Sequence, residues 1–359
     1  MQQIELRPGY SISRVIRGNW QLATGHGPAR TDDPVADLCA YADAGITTFD
    51  CADIYTGVEE TIGRFRAEYG RTRGSEALAK IRVHTKFVPD LGILNCITRS
   101  DVEAIIDRSL QRLGMERLDL VQFHWWDYAE PRWLDTALWL AELREAGKIA
   151  NIGGTNFDTQ HVGAMIDAGV PLVSMQVQYS LLDRRPETSL TALARQHDVA
   201  LLCYGTVAGG FLSDRWLGAA APTGVDENRS LTKYRLIVED WGGWDLFQEL
   251  LRTLRTIADR HETDIATVAS AAVLPRPQVA AVIVGARDRS HLPQNLAVGS
   301  LALTDGDMAA IDAVLEQSAP LEGDVYALER DRDGRHGRIM KYNLNDAPAA
   351  SQKASVVGK

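Results

Sequence analysis

The feature that most constrains this chain is an alternation. Eight short runs rich in β-branched and aromatic residues recur along it: VIRGNW (15–20), TTFDCA (47–52), RVHTKF (82–87), LDLVQFHW (118–125), ANIGGTNF (150–157), SMQVQY (174–179), ALLCYGT (200–206) and AVIVGA (281–286). Between them lie amphipathic segments such as DPVADLCAYADAG, SDVEAIIDRSLQRLG and TALWLAELREAGK, each closing near a glycine, as helix C-caps often do. Strand and helix in repetition build a parallel sheet, because parallel neighbours need a long crossover between them. Eight such units predict an α/β fold of the closed (β/α)8 TIM-barrel type. An open doubly wound sheet is the alternative, but it would place a G-x-G-x-x-G turn after its first strand. The nearest match, GHGPAR (25–30), lacks the third glycine and reads as a loop.

The 359 residues suit one barrel domain over 1–316, followed by a tail, 317–359, whose last fifteen residues read as disordered. The connection from Val207 to Ala280 is longer than a loop and a helix require. Its first part, about 213–243, reads as an irregular insertion between strands seven and eight, and DENRSLTKYR (226–235) within it is a candidate mobile lid. Helical pattern resumes at WDLFQELLRTLRTIADRH. A last helix starts at TDGDMAAIDAVLEQ, with Thr304 as cap and Asp307 three residues on. Ser100, ahead of Asp101 and Glu103, reads as an earlier cap. The basic run ERDRDGRHGR (329–338) reads as a solvated face, the alternative being a tail folded over the barrel mouth or a partner subunit.

A formal charge of −10 gives no electrostatic reason to expect affinity for nucleic acid or an anionic membrane. No run of about 18 apolar residues could cross a bilayer, and MQQIELRPGYSISR lacks the apolar stretch of a secretion signal. The four cysteines, Cys39, Cys51, Cys96 and Cys203, show no C-x-x-C pair, so neither a zinc cluster nor a disulfide scaffold is expected. A cytoplasmic protein acting on a small molecule, as a monomer or homo-oligomer, fits these totals.

In a (β/α)8 barrel the C-terminal ends of all strands open on one face, where residues distant in sequence converge. Strand two ends on Asp50, with Tyr55 in the loop beyond it in FDCADIYTGVEETIGRF; strand three ends near Lys86 and strand four near His124. The three strand-end residues are each about one βα unit apart. Together with Tyr55 they make chemical sense as a proton-transfer site. A phenol titrates near 10, and an adjacent ammonium is expected to lower that value. Asp50 would hold Lys86, and His124 would hydrogen-bond a substrate carbonyl oxygen. His84, two residues before Lys86, is expected to be structural. An H-x-H pair on strand one is absent from VIRGNWQ, so no metal is expected.

FDCADIYTGVEETIG, HTKF and VQFHWW resemble the signature of the aldo-keto reductase family, and the similarity runs from about residue 8 to 316. The resemblance implies Tyr55 as general acid/base, with Asp50, Lys86 and His124 completing a tetrad. It also implies a nicotinamide cofactor. Thr155 and Asn156 of GGTNF and Gln176 of SMQVQY match the amide-binding trio; Tyr204 matches the tyrosine that stacks on the ring, with Gly205 and Thr206 near the pyrophosphate. VGARDRSHLPQNL matches the adenosine-phosphate segment, through Gly285, Ala286, Arg287, His291, Gln294 and Asn295. The chain departs from the pattern at three places. Thr56 separates Tyr55 from Gly57, Gly285 stands where many relatives have lysine, and His291 where they have arginine. Arg287 is then the expected partner of a 2′-phosphate, which favours NADP (NADPH) and leaves NAD possible.

Trp20, Phe87, Trp125 and Trp126, near strand ends, are candidates to line an apolar substrate pocket, with Trp216, Trp241 and Trp244 of the insertion as further contributors. The expected activity is reversible hydride transfer between nicotinamide and an aldehyde, ketone or sugar-like carbonyl or its alcohol. Two other readings compete. One is a nucleotide-sensing regulatory subunit resembling the β-subunits of voltage-gated potassium channels, which share this barrel; the other is a Schiff-base lyase using Lys86, disfavoured because Asp50 would keep that lysine charged.

Overall fold

Parallel pairing runs without a break around eight strands. In the computed structural model, which describes residues 1–23, 33–222, 229–342 and 344, these are β3 (Val15–Gly18), β4 (Thr48–Asp50), β5 (Arg82–Phe87), β6 (Leu120–Phe123), β7 (Ile152–Thr155), β8 (Leu172–Gln178), β9 (Ala200–Tyr204) and β10 (Val279–Gly285). They form a closed barrel in the order β10-β3-β4-β5-β6-β7-β8-β9, with β9 pairing back to β10. Every expected strand is present, usually shorter by a residue or two at its ends. Among the described residues no helix is long and apolar enough to cross a membrane.

An antiparallel hairpin, β1 (Gln3–Arg7) and β2 (Tyr10–Ser13), precedes the barrel. Its signal is the Pro8-Gly9 dipeptide, with Gly9 at φ 79°, a left-handed turn that favours glycine. Leu6, Tyr10 and Ile12 pack against Ile16, Leu120, Leu202 and Ala281 of the barrel. The Tyr10 hydroxyl meets His84 Nε2 at 3.0 Å, both side chains buried, which gives His84 the structural role expected.

Strand alternation decides which side chains face the barrel interior. On β5, His84 and Lys86 point inward, whereas Phe87 joins the apolar layer between sheet and helices, 6.0 Å from Phe123. Helix ends follow local chemistry. Thr304 caps helix Asp305–Leu315, its Oγ1 accepting from Asp307 N (3.1 Å) while its own N–H donates to Asp307 Oδ2 (2.9 Å). The expectation at Ser100 is corrected: Thr98 is the cap of helix Arg99–Leu113, because Thr98 forms the same reciprocal box with Asp101.

The insertion is not irregular throughout. Residues Arg229–Trp241 form a helix whose buried face carries Tyr234, Ile237, Val238 and Trp241, three to four residues apart. This insertion helix includes the described part of the candidate lid; residues 226–228 lie outside the described residues, as do GHGPAR (25–30) and the last fifteen (345–359).

The solvated face expected for 329–338 holds for Asp331, Arg332, Asp333, Arg335 and Arg338, but not for Glu329 and His336, which are buried. Glu329, on the short tail helix Ala327–Arg330, is 1% exposed. It bridges Arg185 at 3.0 Å and Lys233 of the insertion helix at 3.3 Å, and Arg185 also pairs with Asp183 at 2.7 Å. Further along, Arg335 pairs with Glu239 (2.9 Å) and His336 with Asp240 (2.6 Å), also on the insertion helix. Buried charges are tolerated only when paired, and here the tail supplies the missing acid.

Burial works to raise the Glu329 pKa, but Lys233 and Arg185 outweigh it and hold it at about 2, below the ordinary 4.5. Its stabilising contribution is therefore complete above about pH 4.5 and lost as pH falls toward 2. Glu329→Ala should cost roughly 3–5 kcal/mol in urea unfolding at pH 7, because Lys233 loses its acid and Arg185 is left with Asp183 alone. The gap to the unaltered protein should narrow at acid pH.

Candidate active site

Asp50 ends β4 and is the hub of a buried cluster. Lys86, from the inward face of β5, donates to Asp50 Oδ2 at 2.7 Å and to the Cys51 carbonyl at 2.8 Å. Gln122 on β6 and Gln176 on β8 both donate through Nε2 to Asp50 Oδ1, at 3.1 and 2.6 Å. Asn19, just after β3, holds the Asp50 main-chain oxygen at 2.9 Å. Three further strands, β5, β6 and β8, therefore fix the carboxylate, and Asn19 fixes the main chain that carries it. Tyr55, in the turn after β4, brings its ring to 5.0 Å from the Lys86 ammonium and lies edge-on to Trp20 at 4.6 Å.

Burial pulls the Lys86 pKa down, but Asp50 and then Tyr55 overturn this and hold it above the ordinary lysine value. For Tyr55 the balance runs the other way from the expectation. Burial raises its pKa by more than Lys86 lowers it, and the Asp50 charge adds to the rise. The ammonium is already paired, so its field at the phenol is partly cancelled. The resting group is a neutral phenol.

His124 follows β6 and sits with its Nδ1 3.0 Å from the Thr155 carbonyl at the end of β7. Burial and then the Arg330 charge hold its pKa at about 3, so the ring is neutral. A carbonyl only accepts, so Nδ1 carries the proton and Nε2 a lone pair. This corrects the role given to His124: in this tautomer Nε2 cannot donate to a carbonyl oxygen, but it can accept from a hydroxyl. Nε2 is buried and has no partner among the described residues.

The residues matched to a cofactor lie at neighbouring strand ends. Asn156 adopts φ 61°, and its Oδ1 accepts from the Tyr204 hydroxyl at 2.9 Å. Gln176 spends Nε2 on Asp50. The side-chain N–H2 of Asn156 and the Oε1 of Gln176 thus remain as one donor and one acceptor, the complement of a primary carboxamide. Gly205 has φ 75°, and a side chain there would run into the Tyr234 hydroxyl. Thr206 is bonded to Ser270 at 2.9 Å. At the end of β10, Gly285 is exposed and Ala286 buried, with its carbonyl 3.5 Å from Arg17 Nη2. Arg287 is half-buried and pairs with no carboxylate among the described residues; His291 and Gln294 are exposed, and Asn295 is buried with its Nδ2 on Tyr41 at 3.1 Å.

The substrate candidates divide by strand parity. Trp20 and Trp126 stand at the mouth, Trp126 edge-on to His124 at 4.3 Å. Phe87 and Trp125 are corrected to core residues: each sits one position out of phase with the inward Lys86 and His124, and both pack on Phe123. Trp216, Trp241 and Trp244 belong to a separate apolar cluster with Phe211 and Phe247. The sequence reading missed five residues here, among them Asn19, just after the first barrel strand. Gln122 could have been found two places before His124 on the same strand face. Lys233, Tyr326 and Arg330 carried no signal, since only docking of the insertion helix and tail brings them in: Tyr326 lies edge-on to His124 at 5.7 Å, and Lys233 lies 5.6 Å from the Tyr204 ring.

The comparisons with known proteins agree with the barrel fold. The model described as Aldo/keto reductase family matches residues 14–316. The chain belongs to that family. Similar proteins include the NADH-specific methylglyoxal reductase of Escherichia coli (strain K12), 24% identical over 334 residues, covering 85% of this chain and 95% of that protein. A match to flagellar radial spoke protein 5 of Chlamydomonas reinhardtii, 27% identical over 306 residues, covers 67% of this chain and spans 57% of that protein's length. The structure of a glycerol dehydrogenase from Gluconobacter oxydans superposes with a TM-score of 0.72 at 25% identity, covering 88% of this chain and 95% of the other. As an aldo/keto reductase the chain is an NAD(P)-dependent oxidoreductase acting on alcohol and carbonyl groups.

Within this family member Asp50 carries the electrostatics of the mouth. Asp50→Ala should strand the Lys86 ammonium, and burial would then set its pKa below the ordinary lysine value. A destabilisation of about 3 kcal/mol or more is expected at pH 7, shrinking as pH rises toward 10 and the amine can be buried neutral. Urea unfolding at both pH values reads it.

Proposed function

We propose that the chain reduces aldehydes or ketones and oxidises the corresponding alcohols, with Tyr55 as the group that gives and takes the proton and NADP as the preferred cofactor. The observation that supports this best is the Tyr55 phenol beside an ammonium that Asp50 keeps charged. The nicotinamide, when bound, supplies or accepts the hydride. Asn156 and Gln176 offer the donor and acceptor for its carboxamide, beside Thr155 at the end of β7; Tyr204 offers a ring face, and Gly205 and Thr206 the turn toward the phosphates. Arg287 is the guanidinium for a 2′-phosphate, with Gly285, Ala286, His291, Gln294 and Asn295 around it.

In reduction the neutral Tyr55 donates its O–H to the oxygen that is becoming an alkoxide. Negative charge then moves onto the phenol, where Lys86 is placed to stabilise it. His124, neutral and lone-pair-bearing at Nε2, accepts from a hydroxyl next to the reacting oxygen. Trp20 and Trp126 provide an apolar wall. In oxidation Tyr55 must first be a phenolate. Since burial keeps its pKa above the ordinary 10, the oxidation rate should still be rising at pH 9–10 while reduction is flat there. The four cysteines are free, which supports a reducing compartment such as the cytoplasm.

Nicotinamide absorbance with a panel of aldehydes and ketones tests the activity. Tyr55→Phe should lower kcat by about 10²–10⁴-fold and leave nucleotide affinity nearly unchanged; unaltered turnover would remove Tyr55 from the chemistry. Arg287→Ala should weaken NADP binding by roughly 10-fold or more and NAD binding far less. Equal losses for the two nucleotides would remove the preference for NADP.

A further inference from the structure

Arg330, the last residue of the tail helix, reaches across two strand ends. Its Nη1 donates to the main-chain oxygens of Trp125 and Trp126, the latter at 2.9 Å, and its Nη2 to that of Asn156 at 2.7 Å. Trp125 and Trp126 directly follow His124, and Asn156 directly follows Thr155. One guanidinium therefore binds the chain just beyond both partners of the His124–Thr155 hydrogen bond. The same group lies 3.9 Å from the centre of the Tyr128 ring, and the Tyr128 hydroxyl accepts from the Asp158 N–H at 3.1 Å, so the stacking partner joins the same two loops. A planar fork of donors can span two chains at fixed spacing, whereas an ammonium on a flexible stem cannot.

We propose that Arg330 is a positioning residue for His124, clamping the loops after β6 and β7 so that Nδ1–H stays on the Thr155 carbonyl and Nε2 remains an acceptor. For its effect on turnover the proposal rests on the oxidoreductase reading above; for the state of the imidazole it stands alone. The electrostatics point the same way. After burial, Arg330 is the strongest influence keeping His124 neutral, with Lys86 adding to it and the Thr155 carbonyl opposing. The other titratable group against the ring is Tyr326, from the tail. Of the two acids flanking Arg330 in sequence, Glu329 is engaged by Arg185 and Lys233, and Asp331 accepts from the Asp333 N–H at 3.2 Å.

The test compares the full chain with Arg330→Ala and Arg330→Lys. Imidazole NMR, with the His124 signals assigned by their loss in His124→Gln, reads the tautomer and titration directly. In the unaltered protein His124 should hold the Nδ1–H form without titrating above pH 5. In Arg330→Ala its midpoint should rise by about two units and the single tautomer should give way to a mixture. Arg330→Lys keeps a charge but not the fork. It should leave titration suppressed, mix the tautomers, and lower kcat by about 10-fold at little change in nucleotide KM. Unchanged His124 signals and unchanged kcat per folded molecule in both variants, with only a lower melting temperature, would overturn the proposal. If the unaltered protein turned over no carbonyl or alcohol with either nucleotide, the oxidoreductase reading would fail, and the NMR titration would still decide the role of Arg330.

Discussion

The mouth of the barrel depends on a charge pair that the fold has removed from water. Lys86 and Asp50 stand at the ends of adjacent strands, 2.7 Å apart and almost inaccessible. Neither could be buried without the other. Once paired, they impose a geometry, because Gln122, Gln176 and Asn19 must all turn toward Asp50 to satisfy its remaining oxygens. A single carboxylate thereby sets the positions of residues on β5, β6 and β8, while the main-chain oxygen of Asp50 ties in the turn after β3.

Much of the scaffold was legible because parallel strands leave a strong mark. Runs such as AVIVGA and RVHTKF are short and carry β-branched or aromatic residues, which favours strand over helix, and the βα spacing that separates Asp50, Lys86 and His124 is itself the barrel repeat. The same rule, carried one step further, would have separated Trp125 from Trp126 and Phe87 from Lys86, since neighbouring residues at a strand end point to opposite faces. A lid in the insertion and a tail over the mouth were conceivable from the sequence, but the contacts these two segments make could not be read. Their side chains are ordinary for a surface until the ion network of Asp183, Arg185, Lys233 and Glu329 pulls the two segments together, and no local pattern announces a contact made across such distances.

That network has a consequence for the mouth. It holds two acids and two bases, so it closes on itself and leaves the neighbouring Arg330 free to act on main-chain carbonyls. The tail is then more than a cover. It brings Tyr326 against His124 and places a guanidinium where the loops after β6 and β7 meet.

The balance between burial and charge decides what these groups can do. Burial keeps Tyr55 protonated although a cation lies close, and burial together with the Arg330 charge keeps His124 neutral at rest. A cation beside a neutral phenol contributes little while nothing is ionised. When negative charge develops on the phenol oxygen or on a bound alkoxide, the same fixed cation, held in a site of low dielectric, becomes strongly stabilising without having to move. The arrangement therefore favours the charged state formed during reaction over the resting one, which is the condition for rate acceleration as opposed to mere binding. A pre-ionised tyrosine would forfeit that difference, so the raised pKa of Tyr55 is compatible with the proton-donor role proposed for it.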